Sequence, residues 1–115
     1  MRYFRNSRYG KTKYGNKKII IDGYKFDSLK EGNRYRELKC LKKAREIKDF
    51  TIKPCFILVP PLKKVHRGIK YEADFSIRLN TGQIVVEDVK GFKTSVYKIK
   101  KILMLHILGI TIKEI

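Results

Sequence analysis

The sequence has no tryptophan, two cysteines, three prolines and no long apolar run. Cys40 and Cys55 lie outside any CxxC pattern, so neither a disulfide scaffold nor a zinc ribbon is supported. A membrane span needs roughly 20 apolar residues, whereas the richest stretch, residues 102–108, is short and contains His106. The basic N-terminus also lacks the apolar segment of a secretory signal. These absences favour a protein of the reducing cytoplasm.

Acidic residues are scarce as well: 11 Asp and Glu stand against 28 Lys and Arg, which gives a formal net charge of +17. A charge this large destabilises a compact chain by self-repulsion, so we expect a polyanionic partner. Nucleic acid is the first candidate and an acidic membrane surface the second. With 115 residues, 43% of them apolar, the chain is long enough for one domain with one core.

The first 18 residues differ in composition from the rest of the chain. They contain seven basic residues, no acidic residue and four aromatic rings separated by glycine and asparagine. Such a segment has too little contiguous apolar surface to fold alone, so we expect a flexible arm followed by a single domain over residues 19–115. On a polyanion the arm offers phosphate contacts and rings that stack on bases; the alternative is a tail that only aids solubility. Its basic residues are Arg2, Arg5, Arg8, Lys11, Lys13, Lys17 and Lys18.

Turn and cap signals predict a hairpin and then a helix after the arm. The Asp22-Gly23 pair between two short apolar runs is a strong signal for a two-residue hairpin turn. Ser28 followed by Glu31 matches a capping box and therefore predicts the start of a helix. That helix should fade near residues 45–47.

The pattern then changes to strands, and a second helix precedes the last strand. Alternation of apolar and polar residues is cleanest in the second of these strands. A strand–helix–strand crossover at the end of the chain implies at least one parallel pair in a mixed sheet. The predicted elements are strands 50–59 (interrupted at Pro54), 71–79 and 83–90, a helix from residue 94 or 95 to 108, and strand 110–115.

Two carboxylates lie at equal distances from the predicted turn at residues 80–82. Asp74 comes seven residues before its centre and Asp88 seven after it, so an antiparallel hairpin makes them near neighbours. Facing like charges are destabilising, and Mg²⁺, a hard oxygen-seeking cation, would hold both. The alternatives are an ion pair between Asp88 and Lys90, which share a strand face, and an ordinary solvent-facing Asp74.

Glu31 is the third candidate acid. Its position three residues after Ser28 is explained by the capping box alone. However, it also lies seven residues before Leu38, so at about 100° per residue it leans toward the packing face of its helix. Glu31 could therefore cap the helix, support the metal site, or do both.

Asp74 followed by Asp88-Val89-Lys90 is similar to the D…(D/E)xK signature of the PD-(D/E)xK nuclease superfamily. Within it, the chain resembles small phage proteins assigned to endonuclease I-like and Holliday-junction-resolving nucleases. The resemblance extends from about Phe26 to the C-terminus. The segments that carry it are Phe26–Glu31, Tyr71–Phe75 and Val85–Gly91.

Two positions depart from that signature. Ala73 stands where the signature has proline, a substitution that the superfamily tolerates. Asp88 stands where glutamate is more frequent, and Glu87 is adjacent to it. A regular strand would make Asp88 the ligand, whereas a bulged strand would give that role to Glu87.

The resemblance implies an α/β fold with a restriction-endonuclease-like core of order αβββαβ and a mixed sheet, preceded by the hairpin and the basic arm. It implies a Mg²⁺-dependent endonuclease, with Mn²⁺ able to substitute, that hydrolyses DNA phosphodiester bonds, in particular those of branched or junction DNA. The implied metal ligands are Asp74, Asp88, the Val89 carbonyl and Glu31, and the implied catalytic residues are Asp74, Asp88, Lys90 and Glu31. Lys90 would orient or help deprotonate the attacking water.

The expected partner is DNA, and the expected assembly is a homodimer because two strands must be cut. A membrane and a small-molecule cofactor are not expected, and the compartment would be the host cytoplasm if the protein is phage-encoded. The alternatives are a sequence-independent nuclease acting on single- and double-stranded nucleic acid, and a non-catalytic nucleic-acid-binding protein. Three carboxylates and a lysine near one site favour the enzyme, because a pure binder would avoid anions there.

Further basic residues are candidate nucleic-acid contacts outside the arm. One group lies in the predicted loop after Pro60-Pro61, and another lies at the start of the second helix, where it could equally be a solvated helix face. His106, among aliphatic residues, is interpreted as core or interface and not as catalytic. The candidate contacts are Lys63, Lys64, His66, Arg67, Lys93, Lys98 and Lys101.

Overall fold

The structure is a computed structural model that describes residues 17–89 and 93–115. Lys17 and Lys18 of the arm are exposed, and its other five basic residues lie outside the described part, as does Lys90. The elements are β1 (Ile19–Ile21), β2 (Tyr24–Phe26), α1 (Leu29–Lys43), β3 (Asp49–Ile52), β4 (Cys55–Val59), β5 (Ile69–Glu72), β6 (Phe75–Arg78), β7 (Ile84–Asp88), α2 (Ser95–Leu108) and β8 (Ile112–Glu114). The described part is therefore mixed α/β with two helices.

The chain divides into two compact units, one ending at Cys40 and one covering residues 41–115. In the first unit, β1 and β2 form the predicted antiparallel hairpin, with Ile19 opposite Phe26. Asp22 and Gly23 both have positive φ, 54° and 82°, as a type I′ turn requires, so this prediction is confirmed. The Tyr35 hydroxyl of α1 donates to Asp22 Oδ2 at 2.8 Å and ties the turn to the helix.

The predicted start of α1 is confirmed, with one difference in the cap. Ser28 Oγ accepts a hydrogen bond from the Glu31 N–H at 3.1 Å. The Glu31 carboxylate reaches back to the N–H of Asp27 at 2.7 Å, one residue before the position that a standard capping box uses. The helix ends at Lys43, and Arg45 follows with a positive φ of 63°.

In the second unit, two of the predicted strands are each divided in two, and the prediction of single strands was wrong there. Residues 50–59 form β3 and β4, and residues 71–79 form β5 and β6. Lys53 takes a φ of 51°, and Pro54 has no N–H to donate. Lys53 N donates to Asp74 O at 2.9 Å, and Ala73 N donates to Pro54 O at 3.0 Å. The two neighbouring segments of the chain therefore bend at the same place.

This bend moves the chain from one sheet to another. The four-stranded sheet has the order β3-β6-β7-β8, and β4 and β5 form a separate two-stranded sheet. Within the larger sheet β3, β6 and β7 are antiparallel neighbours, whereas β7 and β8 are parallel. The predicted mixed sheet with a final parallel pair is thus confirmed.

The crossover helix α2 begins and ends where the sequence predicts, and each end has a cap. The Thr94 side chain accepts from the N–H of Tyr97, and Gly109 adopts the left-handed conformation at the C-terminus. Tyr97 and Met104 of this helix pack on Val86 and Ile112 of the sheet in the core of this unit. No helix in the described ranges is long and apolar enough to cross a membrane.

Candidate functional site

Asp74 and Asp88 lie beside each other where the β6–β7 hairpin opens. Phe75 is opposite Glu87 in this hairpin, and the same register continued by one residue sets Asp74 opposite Asp88. Asp74 Oδ2 accepts a hydrogen bond from the N–H of Val89 at 2.7 Å. Asp88 is 1% exposed, whereas Asp74 is half-buried. The hairpin therefore holds the Asp74 carboxylate against the backbone of Val89, the residue that follows Asp88.

Glu87 and Asp88 are both buried, but they occupy opposite faces of β7. The β6–β7 ladder is regular from Arg78 opposite Ile84 to Phe75 opposite Glu87, with no bulge. Because side chains alternate along a strand, Asp88 shares the face of Val86, which packs in the core under α2. The regular ladder favours Asp88, and not Glu87, as the residue paired with Asp74.

Two residues that contact each other beside this face, Tyr97 and Glu114, are not among the predicted site residues. Glu114 on β8 is the register partner of Asp88 in the parallel pair. The Tyr97 hydroxyl donates to Glu114 Oε2 at 2.7 Å. One signal was present in the sequence: Glu114 is the only acidic residue after Asp88, in a segment rich in lysine.

Two lysines also bind the Glu114 carboxylate. Lys93 Nζ lies 3.2 Å from Oε1, and Lys101 Nζ lies 3.2 Å from Oε2. Lys93, Tyr97 and Lys101 are spaced by four residues, which brings them to one side of the start of α2. With Lys98 and Ile102 they line a groove of about 430 Å³ beside β8. Lys93 and Lys101, two of the predicted phosphate contacts, thus lie around a carboxylate that is not among the predicted site residues.

Burial and the neighbouring groups raise the pKa of the Tyr97 hydroxyl and lower the pKa of Glu114. Burial raises the pKa of Tyr97 most, followed by the hydrogen bond to Glu114 and the negative charges of Glu114, Asp88 and Asp74. The hydrogen bond from Tyr97, with those from Lys93 and Lys101, lowers the pKa of Glu114 to about 2. Tyr97 is therefore a neutral donor in the field of three carboxylates.

Acid unfolding tests the Glu114 contacts. Folding lowers the pKa of Glu114 from 4.5 to about 2, so its ionised form stabilises the protein above pH 4.5 and the stabilisation is lost as the pH falls toward 2. We expect Glu114→Gln to lose less unfolding free energy than the wild type between about pH 5 and pH 3, measured by urea denaturation. Glu72→Gln removes an exposed acid of β5 and should behave as the wild type. Equal losses in Glu114→Gln and the wild type would contradict these contacts.

The other predicted site residues are distributed over the chain. Glu31 lies in the first unit, where its carboxylate caps α1, and its part in a metal site stays a prediction. The basic loop residues 63–67 are exposed between β4 and β5. His106 is exposed on α2, so its interpretation as a core residue was wrong and only the interface reading stays.

The donors at the hairpin opening are hard oxygens of the kind that Mg²⁺ prefers. Asp74 and Asp88 supply carboxylates at neighbouring register positions, and the backbone at Val89 runs against the first of them. Mg²⁺ typically takes one or two protein carboxylates and fills its shell with water and substrate phosphate. Within residues 17–89 and 93–115, no group of three or more His, Cys, Asp or Glu side chains is gathered to hold a metal. A two-carboxylate Mg²⁺ site fits these residues, whereas an all-protein cage does not.

Comparison with protein families matches residues 11–112 to a family described as "Protein of unknown function (DUF1064)". Since the match covers most of the chain, the protein belongs to this family. No curated protein and no solved structure matches the chain. The family description names no activity.

Proposed function

We propose that this member of the DUF1064 family is a Mg²⁺-dependent endonuclease that hydrolyses DNA phosphodiester bonds, with branched or junction DNA as its preferred substrate. The observation that carries the proposal is the hydrogen bond from Val89 N–H to Asp74 Oδ2, at 2.7 Å, beside the buried Asp88. Two adjacent carboxylates, one of them buried, are costly as a structural feature because like charges repel, and they are useful as a metal site.

Asp74, Asp88 and the Val89 carbonyl would hold the metal. Mg²⁺ held there would supply Lewis-acid chemistry, namely charge neutralisation at the scissile phosphate and activation of water. Lys90, two residues after Asp88, would orient the water or offset the negative charge that develops on the phosphate. The Tyr97 hydroxyl, held neutral by its surroundings, keeps Glu114 ionised and hydrogen-bonded beside this site.

The element order supports the finer fold proposal of a restriction-endonuclease-like core. After the hairpin, the chain runs through α1, the antiparallel strands of the larger sheet, α2 and the parallel strand β8. Counting β3, β6 and β7 as the three strands gives the order αβββαβ, with β4 and β5 inserted between the first and second. The carboxylates then lie at the start of the second strand and the end of the third.

DNA is proposed as the substrate because 28 basic residues stand against 11 acidic ones in the whole chain. Lys63, Lys64, His66 and Arg67 are exposed in one loop, and Lys98 is exposed on α2. Neutralising phosphates with such residues releases counterions and drives binding that does not depend on sequence. A homodimer is proposed because a branched substrate offers two strands to cut. An apolar surface on the outer side of α2 would support this dimer. Its side chains, which are 47–60% exposed, are Val96, Ile99, Ile102 and Ile107.

The comparison of Glu87 with Asp88 tests the assigned site. We expect Glu87→Gln to retain most cleavage activity and Asp88→Asn to lose nearly all of it, because the two side chains occupy opposite faces of a regular strand. Initial rates on labelled DNA at saturating Mg²⁺ are the measurement, with thermal unfolding as the control for both buried positions. The reverse ranking, with both variants folded, would transfer the ligand role to Glu87.

A non-catalytic nucleic-acid-binding protein is the competing proposal. One observation favours it: no three metal-ligating side chains are gathered within the described ranges. Such a protein would bind DNA with the same dependence on salt as the proposed endonuclease, but it would not cleave DNA with Mg²⁺ or Mn²⁺. Cleavage that appears with either ion and disappears with EDTA would exclude it.

A further inference from the structure

The hairpin of β4 and β5 ends in a tip that combines exposed aliphatic side chains with cations. Val65 is 70% exposed and Leu62 55%, while neither residue belongs to the core cluster of its unit. Lys63, Lys64 and Arg67 are exposed around them. From Lys53 to Tyr71 the sequence has no acidic residue. Nothing in this segment therefore neutralises the tip.

The tip is built as a closed turn. Leu62 and His66 form an isolated bridge in which Leu62 N donates to His66 O at 2.9 Å. The N–H groups of Val65 and His66 both donate to Leu62 O, at 2.9 and 3.0 Å. Lys64 takes a φ of 65° to complete the turn. Leu62 and Val65 are thus held by backbone hydrogen bonds on the outside of a small turn.

The base of the tip is equally constrained. A Cβ atom at Gly68 would lie 2.5 Å from the Val59 carbonyl oxygen and 2.7 Å from Pro61 N. The backbone at Gly68 therefore packs directly against the backbone of the segment from Val59 to Pro61. Pro60 and Pro61 have fixed φ and restrict the chain that leads to Leu62. A tip that is ordered before binding loses little conformational entropy when it inserts into a partner.

A rigid tip with aliphatic side chains between cations fits DNA whose base stack can be opened. Proteins that deform DNA insert apolar side chains such as Leu and Ile between base steps while Lys and Arg contact the phosphates. Unstacking costs least where bases are mismatched or already open. The chemistry of the tip therefore matches a branch point or mismatch better than an intact duplex.

An anionic membrane surface would also attract these cations, but the apolar content of the tip argues against it. A complete myristoyl chain gives only marginal, reversible membrane binding. Leu62 and Val65 together offer fewer buried carbons than such a chain. DNA, where two side chains are enough to open one base step, is the better match.

We propose that the tip of the β4–β5 hairpin is a DNA wedge, in which Leu62 and Val65 enter a weakened base stack while Lys63, Lys64 and Arg67 hold the neighbouring phosphates. The proposal rests on DNA as the ligand of the proposed function and does not depend on cleavage. It assigns the preference for branched DNA to this tip.

The test is base unstacking at a branch point, measured in EDTA so that cleavage cannot contribute. The probe is a four-way junction with 2-aminopurine beside the branch point, bound by the full chain. We expect a severalfold rise in fluorescence with wild-type protein and most of that rise to be lost in the double variant Leu62→Ser, Val65→Ser. The affinity of this variant for linear duplex and its salt dependence should be unchanged, since its cations remain.

Two further variants separate insertion from charge and from general apolar exposure. Lys63→Gln with Arg67→Gln should keep the fluorescence rise at saturation but flatten the slope of log K against log salt by about 2 units. Ile20→Thr removes an equally exposed aliphatic side chain of the β1–β2 hairpin and should change neither quantity.

Three results would overturn the proposal. In the first, wild-type protein binds the junction and the fluorescence does not rise. In the second, the Leu62, Val65 variant opens the branch point as well as the wild type does. In the third, that variant loses binding to vesicles of phosphatidylserine and phosphatidylcholine while junction opening is unaffected, which identifies the tip as a membrane contact. If the protein opens the junction but never cleaves DNA with Mg²⁺, the wedge stands and the nuclease proposal fails.

Discussion

Asp74→Asn and Asp88→Asn should each reduce DNA cleavage by about 1,000-fold, the loss expected when several kcal/mol of charge stabilisation by a metal is removed. The fold should survive at Asp74 because the amide oxygen of asparagine still accepts the hydrogen bond from Val89 N–H. DNA binding should be equal or tighter, since an anion near the phosphate has been removed. Single-turnover rates and binding in Ca²⁺ or EDTA measure the two effects separately.

Asp49→Asn is the matched control for these variants. Asp49 is an exposed acid opposite Arg78, at the other end of β6 from Asp74, and it forms an ion pair with Lys42. Its substitution removes the same charge and should leave the cleavage rate unchanged. Cleavage at the wild-type rate by both Asp74→Asn and Asp88→Asn would show that the assigned site is wrong.

Deletion of residues 2–18 should weaken DNA binding strongly and leave cleavage at saturating DNA intact. Seven positive charges are lost, and each neutralised phosphate contributes about −0.9 to the slope of log K against log salt, so the slope should flatten by about 3 to 6 units. The rate at saturation should persist because the arm has neither an acid nor a histidine. Fluorescence anisotropy titrations at a series of salt concentrations are the measurement.

The control for the arm retains its length and removes only its charge. Replacing the seven basic residues by glutamine keeps the four aromatic rings and should flatten the slope as the deletion does. If the deletion also lowers the preference for junctions and the glutamine variant does not, the rings hold an unpaired base. Unchanged affinity and slope in both variants would leave the arm as a solubility tail, with the charge of the remaining chain responsible for binding.

The features predicted correctly from the sequence depend on local chemistry. Asp22-Gly23 fixes its own turn, Thr94 and Gly109 fix the two ends of α2, and the short turn at residues 80–82 fixes the register of β6 with β7. Counting residues outward from that turn is sufficient to bring Asp74 opposite Asp88. Hairpin register is readable because the loop length determines it.

The features that the sequence did not predict depend on contacts between distant segments. Pro54 signalled an interruption, but the transfer of the chain to a second sheet requires the matching bend at Ala73 and Asp74, which lies in a cleanly alternating segment. Glu114 lies beside Asp88 because β8 pairs in parallel with β7 after a helical crossover. No short turn joins these two strands, so no turn fixes the register of the pair. Such pairings are determined by packing in the assembled sheet.

The hairpin opening at Asp74 and Asp88 is proposed as a Mg²⁺-dependent nuclease site for DNA. The most direct test is cleavage of end-labelled linear duplex, single-stranded and four-way-junction DNA by the wild-type protein, with Mg²⁺ or with EDTA, in parallel with Asp88→Asn. We expect Mg²⁺-dependent cuts, most rapid on the junction, that are absent with EDTA and with Asp88→Asn. DNA that is bound in every case but left intact with Mg²⁺ and with Mn²⁺ would show that Asp74 and Asp88 do not form a nuclease site.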